Sequence, residues 1–231
     1  MGSLSVCAIA WNEAELIGPM LHSVCRLADE IVIGIDTRTT DRTRELAADY
    51  WSKVVDVDWR DDFSYARNLT LDAATSDWIL VIDCDERLTR EGADVIRRVI
   101  GMASVAPGPD SVTGLSFLMG QYNRDQSVLY GLTWASMRLF RRTPDIRYRG
   151  NVHEEPVWLP DPPSTRVGVV EGTVAIAHVG YDPQIWRDRG KRARNVALLK
   201  ERLAAYPDDE YAARKLLASL ANDGPFTERA C

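Results

Sequence analysis

The chain has 231 residues, 45% of them hydrophobic and 27% charged, with a formal net charge of −6. That length buries a sizeable core and that composition is globular, which excludes disorder and fibre and leaves one large domain or a domain with an appendage. The acidic balance gives no overall attraction for nucleic acid, so no stable nucleic-acid binding is expected without a local basic patch.

In chain order, Leu4 to Ala10 reads as a short apolar strand, and Glu13 to Cys25 has helical apolar spacing interrupted near Pro19. Glu30 to Ile35 is a second strand ending at Asp36. The polar run Asp36-Thr37-Arg38-Thr39-Thr40-Asp41 supplies a loop and an N-cap for a helix through Tyr50. Lys53 to Val57 is a third strand, and Asp61-Asp62-Phe63-Ser64 opens a helix over Tyr65 to Ala74. Strands alternating with helices in this way predict an α/β fold with a mostly parallel central sheet and helices on both faces.

The next segment carries the chemistry. Trp78 to Ile82 is apolar throughout, as in a strand buried on both faces, and it runs into Asp83-Cys84-Asp85-Glu86. Ligands of open α/β sheets bind at that edge. Packed carboxylates repel each other, so one reading is a hard divalent cation, Mn2+ or Mg2+, shared with a phosphate-bearing substrate. The other is an acidic turn opening the helix from Thr89 to Ile100.

From Val112 the pattern changes to short strand-like runs, Thr113 to Met119, Ser136 to Phe140 and Val174 to Ala177, separated by Gly/Pro/Asp-rich segments. Trp186 to Tyr206 and Asp208 to Leu220 read as a helical hairpin resembling one isolated helical-repeat unit. Such a unit rarely buries its faces alone, so docking on the main domain or across a homodimer is expected. This places a domain at 1–181 and a helical appendage at 182–231.

Cys7, Cys25, Cys84 and Cys231 show no CxxC spacing, as expected of thiols in a reducing, cytoplasmic setting. No apolar run approaches the roughly 20 residues of a membrane span, so membrane contact is expected to be at most peripheral.

Ile9-Ala10-Trp11-Asn12-Glu13, the Asp36 to Thr43 run, Asp61-Asp62-Phe63-Ser64-Tyr65-Ala66-Arg67-Asn68 and Asp83-Cys84-Asp85-Glu86 resemble, in order and spacing, the family 2 glycosyltransferases of GT-A fold. The similar subgroup includes lipopolysaccharide-core and peptide S-glycosyltransferases. Arg138-Leu139-Phe140-Arg141, Gly150-Asn151-Val152-His153-Glu154 and His178-Val179-Gly180-Tyr181 resemble its later blocks. The resemblance implies a nucleotide-sugar donor, a UDP-sugar, an inverting metal-dependent transfer, and a glycan, lipid-linked or protein acceptor. It assigns Glu13 and Asp36 to the nucleoside, Arg67 to the base or diphosphate, and Asp83 to the ribose or a metal-bound water. Ala10, Trp11, Arg38 and Cys84 stand beside them as nucleotide-sugar-binding residues, and Asp85 is the direct metal ligand. Arg38 departs from the pattern, because the family usually has Gly there. A cation at that place narrows the nucleotide pocket or adds a phosphate contact.

Chemistry agrees with these roles. The leaving nucleoside diphosphate develops charge that a divalent ion neutralises as a Lewis acid. Of His22, His153 and His178, His178 ends an apolar strand and is the candidate to complete the metal shell with Asp85, with His153 the alternative. Glu154 or Glu155 is the candidate general base for the acceptor. Two basic clusters, Arg138 to Arg149 and Arg187 to Arg194, clamp donor phosphates, bind an acidic acceptor, rest on an anionic membrane surface, or simply face solvent. Trp134, Trp158 and Trp186 stack on sugars or fill core. A nucleotidyltransferase would need a basic glycine-rich loop where Trp11-Asn12-Glu13 stands, and a non-catalytic nucleotide-sugar or protein-binding module remains the alternative to an enzyme.

Overall fold

The apolar runs of the first half become adjacent parallel strands. The computed structural model describes residues 2–105, 112–127, 129–159, 167–180 and 191–221. The elements are β1 (Leu4–Ala10), α1 (Ile17–Val24), β2 (Glu30–Asp36), α2 (Thr43–Asp49), β3 (Lys53–Val57), α3 (Phe63–Ala73), β4 (Trp78–Val81), β5 (Glu86–Leu88), α4 (Arg90–Val105) and β6 (Gly114–Tyr122). There follow β7 (Leu129–Arg141), β8 (Ile146–Arg149), β9 (Glu155–Trp158), β10 (Val167–His178), α5 (Lys191–Ala205) and α6 (Glu210–Ala221). One sheet of eight strands has the order β3-β2-β1-β4-β7-β6-β10-β5, and β8 and β9 form a small second sheet.

The pairings β3/β2, β2/β1, β1/β4 and β6/β10 are parallel, while β4/β7, β6/β7 and β10/β5 are antiparallel. The sheet is therefore mixed, parallel at one side. Central strands alternate between two cores, as their period of two requires. Val6, Ala8, Leu80 and Ile82 pack with Ile17, Met20 and Leu21 of α1 and Ile96 and Ile100 of α4. Cys7, Ile79 and Val81 face the other way, against Leu71 of α3 and Ile146 and Tyr148 of β8.

The second half departs from expectation. β7 and β10 are much longer than the runs at Ser136 to Phe140 and Val174 to Ala177, and β5, β8 and β9 were not foreseen. Four of the twelve β10 residues are exposed and the β6 pairings carry register shifts, so neither strand has a continuous apolar signature. The first helix begins at Ile17, not Glu13, because Glu13 O accepts from the N–H groups of Leu16 and Ile17 in a preceding turn. Pro19 then sits in the first helical turn, where its missing N–H costs little.

α5 and α6 dock on the main body. Leu198, Leu199 and Ala212 bury with Val152, and Phe63 packs against them. Leu217 and Leu220 on α6 remain 67% and 50% exposed. Trp186 and the boundary expected at 181/182 lie outside the described residues. Among those residues no helix is long and apolar enough to cross a membrane.

Candidate active site

Parallel strands that end side by side place their following loops side by side. At the end of β1, Asn12 adopts φ +51° and its Oδ1 accepts from Thr40 N–H at 2.9 Å, while Glu13 N–H donates to Thr43 Oγ1 at 2.7 Å. These bonds tie the loop after β1 to the loop after β2. Asp36 ends β2 with 4% exposure, and Arg38 grips both its oxygens, Nε at 3.0 Å from Oδ1 and Nη2 at 2.6 Å from Oδ2. Burial pushes the Asp36 carboxyl up, but the Arg38 bonds outweigh burial and hold it below its ordinary value. The Arg38 guanidinium lies 5.8 Å from the Trp11 ring centroid.

A chain of buried charges crosses the end of β4. Asp62 caps α3 by accepting from Tyr65 N–H at 3.0 Å, which sets Arg67 one turn into the helix with its side chain 8% exposed. Arg67 Nε donates to Glu154 Oε1 and Nη2 to Asp83 Oδ1 at 2.7 Å. Arg138 Nη1 stands 3.6 Å from Asp83 Oδ2, and its Nη2 donates to Glu86 Oε1 at 2.8 Å. Glu86 Oε2 in turn accepts from Asp83 N–H at 2.8 Å. Burial raises the Asp83 carboxyl, but Arg67 and Arg138 together hold it below its usual range. Burial wins at Glu86, with Arg138 opposing and Asp83 and Asp85 assisting, and its carboxyl is pushed up to about 7. Arg67 Nη1 is buried without a hydrogen-bond partner among the described residues.

Asp85 has different company. β5 pairs antiparallel with β10 so that His178 lies opposite Glu86, and Val179 N–H donates to Asp85 O at 2.8 Å. His178 Nε2 is 3.6 Å from Asp85 Oδ1, and Nδ1 meets Gln121 Oε1 at 2.8 Å. The tautomer that donates Nδ1–H to Gln121 leaves Nε2 as the free acceptor that a metal ligand needs. A Cβ on Gly180 would stand 2.1 Å from Asp85 Oδ2, so only glycine leaves room here for the Asp85 carboxylate. Among the described residues no group of three His, Cys, Asp or Glu side chains is placed to hold a metal. A carboxylate with an imidazole nitrogen, completed by substrate phosphates and water, fits Mn2+ or Mg2+ rather than an all-protein cage.

Comparison with known proteins agrees with this geometry. The family described as Glycosyl transferase family 2 matches residues 5–100. Residues 5–100 are thus similar to the family 2 glycosyltransferases. It is 33% identical over 237 residues to a TPR repeat-containing protein of Synechococcus elongatus, covering 97% of this chain and 54% of that protein. It is 29% identical over 210 residues to the prophage-derived glycosyltransferase SunS of Bacillus subtilis, covering 87% of this chain and 45% of SunS. The chain thus spans about half the length of these relatives. Staphylococcus aureus TarS 1-349 in complex with UDP-GlcNAc superposes with TM-score 0.59 at 16% identity, over 94% of this chain and 71% of TarS. A Pyrobaculum calidifontis mannosyltransferase in complex with GDP-Man and Mn2+ gives 0.51 at 16%, over 95% and 69%. These likenesses give the GT-A fold.

A cleft of about 650 Å³ gathers Ala10, Trp11, Glu13, Asp36, Arg38, Arg67, Asp83, Cys84, Asp85 and Glu154 on its walls. His178 reaches it through Asp85. Glu155 does not line it: it starts β9, exposed, opposite Arg149. His153 lines the cleft with φ +52°, and His22 is exposed in the last turn of α1. The basic run from Arg138 to Arg149 is not one patch. Arg138 is buried among the acids, Arg141 lies over Trp78, Arg142 donates to Ser76 O and Arg147 to Asp72. Of the second run, Arg187 and Arg189 lie outside the described residues, and Arg194 lines the cleft.

Sequence reasoning missed Glu86 and Arg138 as members of the charge chain, and Gln121, Gly180, Trp59 and Arg194 as neighbours of the cleft. Glu86 belonged to the acidic run and Gly180 to the last block, so both had a signal. Gln121 had none.

Proposed function

We propose that this chain transfers a sugar from a nucleoside-diphosphate donor to an acceptor nucleophile by a metal-dependent, inverting displacement. The observation that carries the reading is the Asp85–His178 pair, 3.6 Å apart and packed on Gly180, in the same cleft as a buried arginine with an unsatisfied donor. Asp85 and His178 would hold Mn2+ or Mg2+, which would supply Lewis-acid neutralisation of the departing diphosphate. Arg67 Nη1 donates to a diphosphate oxygen, the partner its burial calls for. The walls at Glu13, Asp36, Arg38 and Trp11 receive the nucleoside. Because Arg38 occupies both oxygens of Asp36, the pair offers a base one donor edge beside one acceptor edge. A UDP-sugar meets that pattern with an imide N–H flanked by carbonyls.

Glu154 takes the acceptor proton. Arg67 holds its Oε1, and the carboxylate stands in the cleft wall, anchored for a transfer at Oε2. The acceptor, a glycan, a lipid-linked molecule or a protein, approaches from this side. A panel of UDP- and GDP-sugars with and without Mn2+ tests the proposal. Steady release of nucleoside diphosphate that requires Mn2+ is the expected result. Binding without release would support a non-catalytic module instead, and turnover unchanged by chelator would sink the metal assignment.

A further inference from the structure

The loop that presents Glu154 is strained, and the C-terminal helices hold it. Gly150 has φ +103° and His153 φ +52°, and only a glycine enters that region without steric cost. Such a backbone persists where its surroundings over-determine it. Asn151 O accepts from Phe63 N–H at 3.0 Å, Asn151 Nδ2 donates to Leu198 O on α5 at 3.4 Å, and Val152 O accepts from Arg202 Nη1 at 3.2 Å. A Cβ at Gly150 would lie 3.0 Å from that same Nη1, so the guanidinium is seated on the glycine. Arg202 is itself fixed, with Nε and Nη2 at 2.8 and 2.7 Å from Asp209 Oδ2. Asp209 Oδ1 accepts from Ala212 N–H at 2.8 Å where α6 begins.

We propose that Arg202 is a positioning residue for the transfer step: it holds the Gly150–Glu154 loop in its strained form and thereby keeps the Glu154 carboxylate against Arg67 in the cleft. The line of contact runs from the start of α6 through Asp209, Arg202, Val152 and Glu154 to Arg67 and Asp83. The helical hairpin is then part of the catalytic apparatus rather than a detachable tail. Arg202 touches neither donor nor acceptor and acts through the loop alone. The inference rests on the reading of Glu154 as proton acceptor.

Arg202→Met keeps the aliphatic stem and removes the donors. In the full chain, amide exchange at Phe63, whose N–H is bonded to Asn151 O, is expected to accelerate on the order of tenfold, while amides of β1 and β4 keep their protection. With Mn2+ and UDP- or GDP-sugars, kcat for transfer should fall by about tenfold or more with donor KM within roughly twofold, and Arg202→Lys should recover part of the loss. In a Glu154→Gln background, Arg202→Met should cost less than about twofold more, because its effect passes through that carboxylate. Unchanged exchange at Phe63 overturns the inference. So does full turnover of Arg202→Met where Glu154→Gln is slow, a result that leaves the reading of Glu154 standing. Wild-type turnover by Glu154→Gln sinks the base assignment and this inference with it. If Arg202→Met does not fold, Asp209→Asn carries the same comparison, with the same exchange pattern at smaller amplitude expected and an unchanged one overturning it.

Discussion

Asp83 and Asp85 stand two residues apart on one turn, yet their surroundings are opposite. Asp83, its side chain 30% exposed, stands between two buried guanidiniums that compensate its charge. Asp85, itself buried, has the His178 imidazole 3.6 Å from one carboxylate oxygen and Gly180 packed against the other. A carboxylate whose charge is already compensated has less call for an added cation. One that faces an imidazole nitrogen is where an external cation can be shared. The difference follows from strand pairing: β7 brings Arg138 beside β4, and β10 brings His178 beside β5.

The comparison breaks most visibly at Asp85. Asp85→Ala is expected to lower transfer on the order of 10⁴-fold, roughly 5 kcal/mol of transition-state stabilisation, with Mn2+-dependent donor binding lost and the fold retained. Removing a repelling carboxylate relieves Glu86, so the melting temperature without metal should hold or rise. Full activity with unchanged Mn2+ dependence would show that Asp85 is not the metal ligand.

At Asp83 the expected damage is to folding. Arg67→Met leaves Glu154 without its buried counter-charge and Asp83 with Arg138 alone, which costs about 3 to 4 kcal/mol of stability. Chemical denaturation should report this as a lower midpoint at constant slope. A loss under about 1 kcal/mol, typical of an exposed pair, would mean that the network is solvated and that Arg67 does not set Asp83 apart from Asp85.

How much of this was legible follows from the same topology. β1 to β4 are strands of 4 to 7 residues that end in polar loops, so apolar run, strand and site edge coincide in the sequence. Asp36, Arg67, Asp83 and Asp85 could be named because each follows such a run or opens the next helix. Glu86 looked like one more acid in a turn, and only the antiparallel pairing of β5 with β10 buries it. Arg138 looked like part of a basic surface because β7 alternates and half-exposed strands carry polar residues on either face. The clamp on Glu154 was invisible, since Arg202 and Val152 are 50 residues apart and meet through a backbone carbonyl, which has no side-chain signature.

The smallest effect isolates the acid on which both halves of the comparison lean. Glu86 is buried, and its carboxyl is raised from 4.5 to about 7 by burial, against Arg138 and with Asp83 and Asp85 adding to the rise. An acid raised in the folded state binds its proton more tightly there than in the unfolded chain. Between pH 4.5 and about 7 the folded state therefore holds more protons, and stability falls as pH rises through that window. Glu86→Gln has no such titration. In chelator, the wild-type melting temperature should decline relative to Glu86→Gln across the window by a few degrees, on the order of 1 kcal/mol, and run parallel to it below the window. Parallel curves throughout would mean that Arg138 keeps Glu86 ionised, and the Asp83 side of the turn would then be fully charge-compensated without any shared proton.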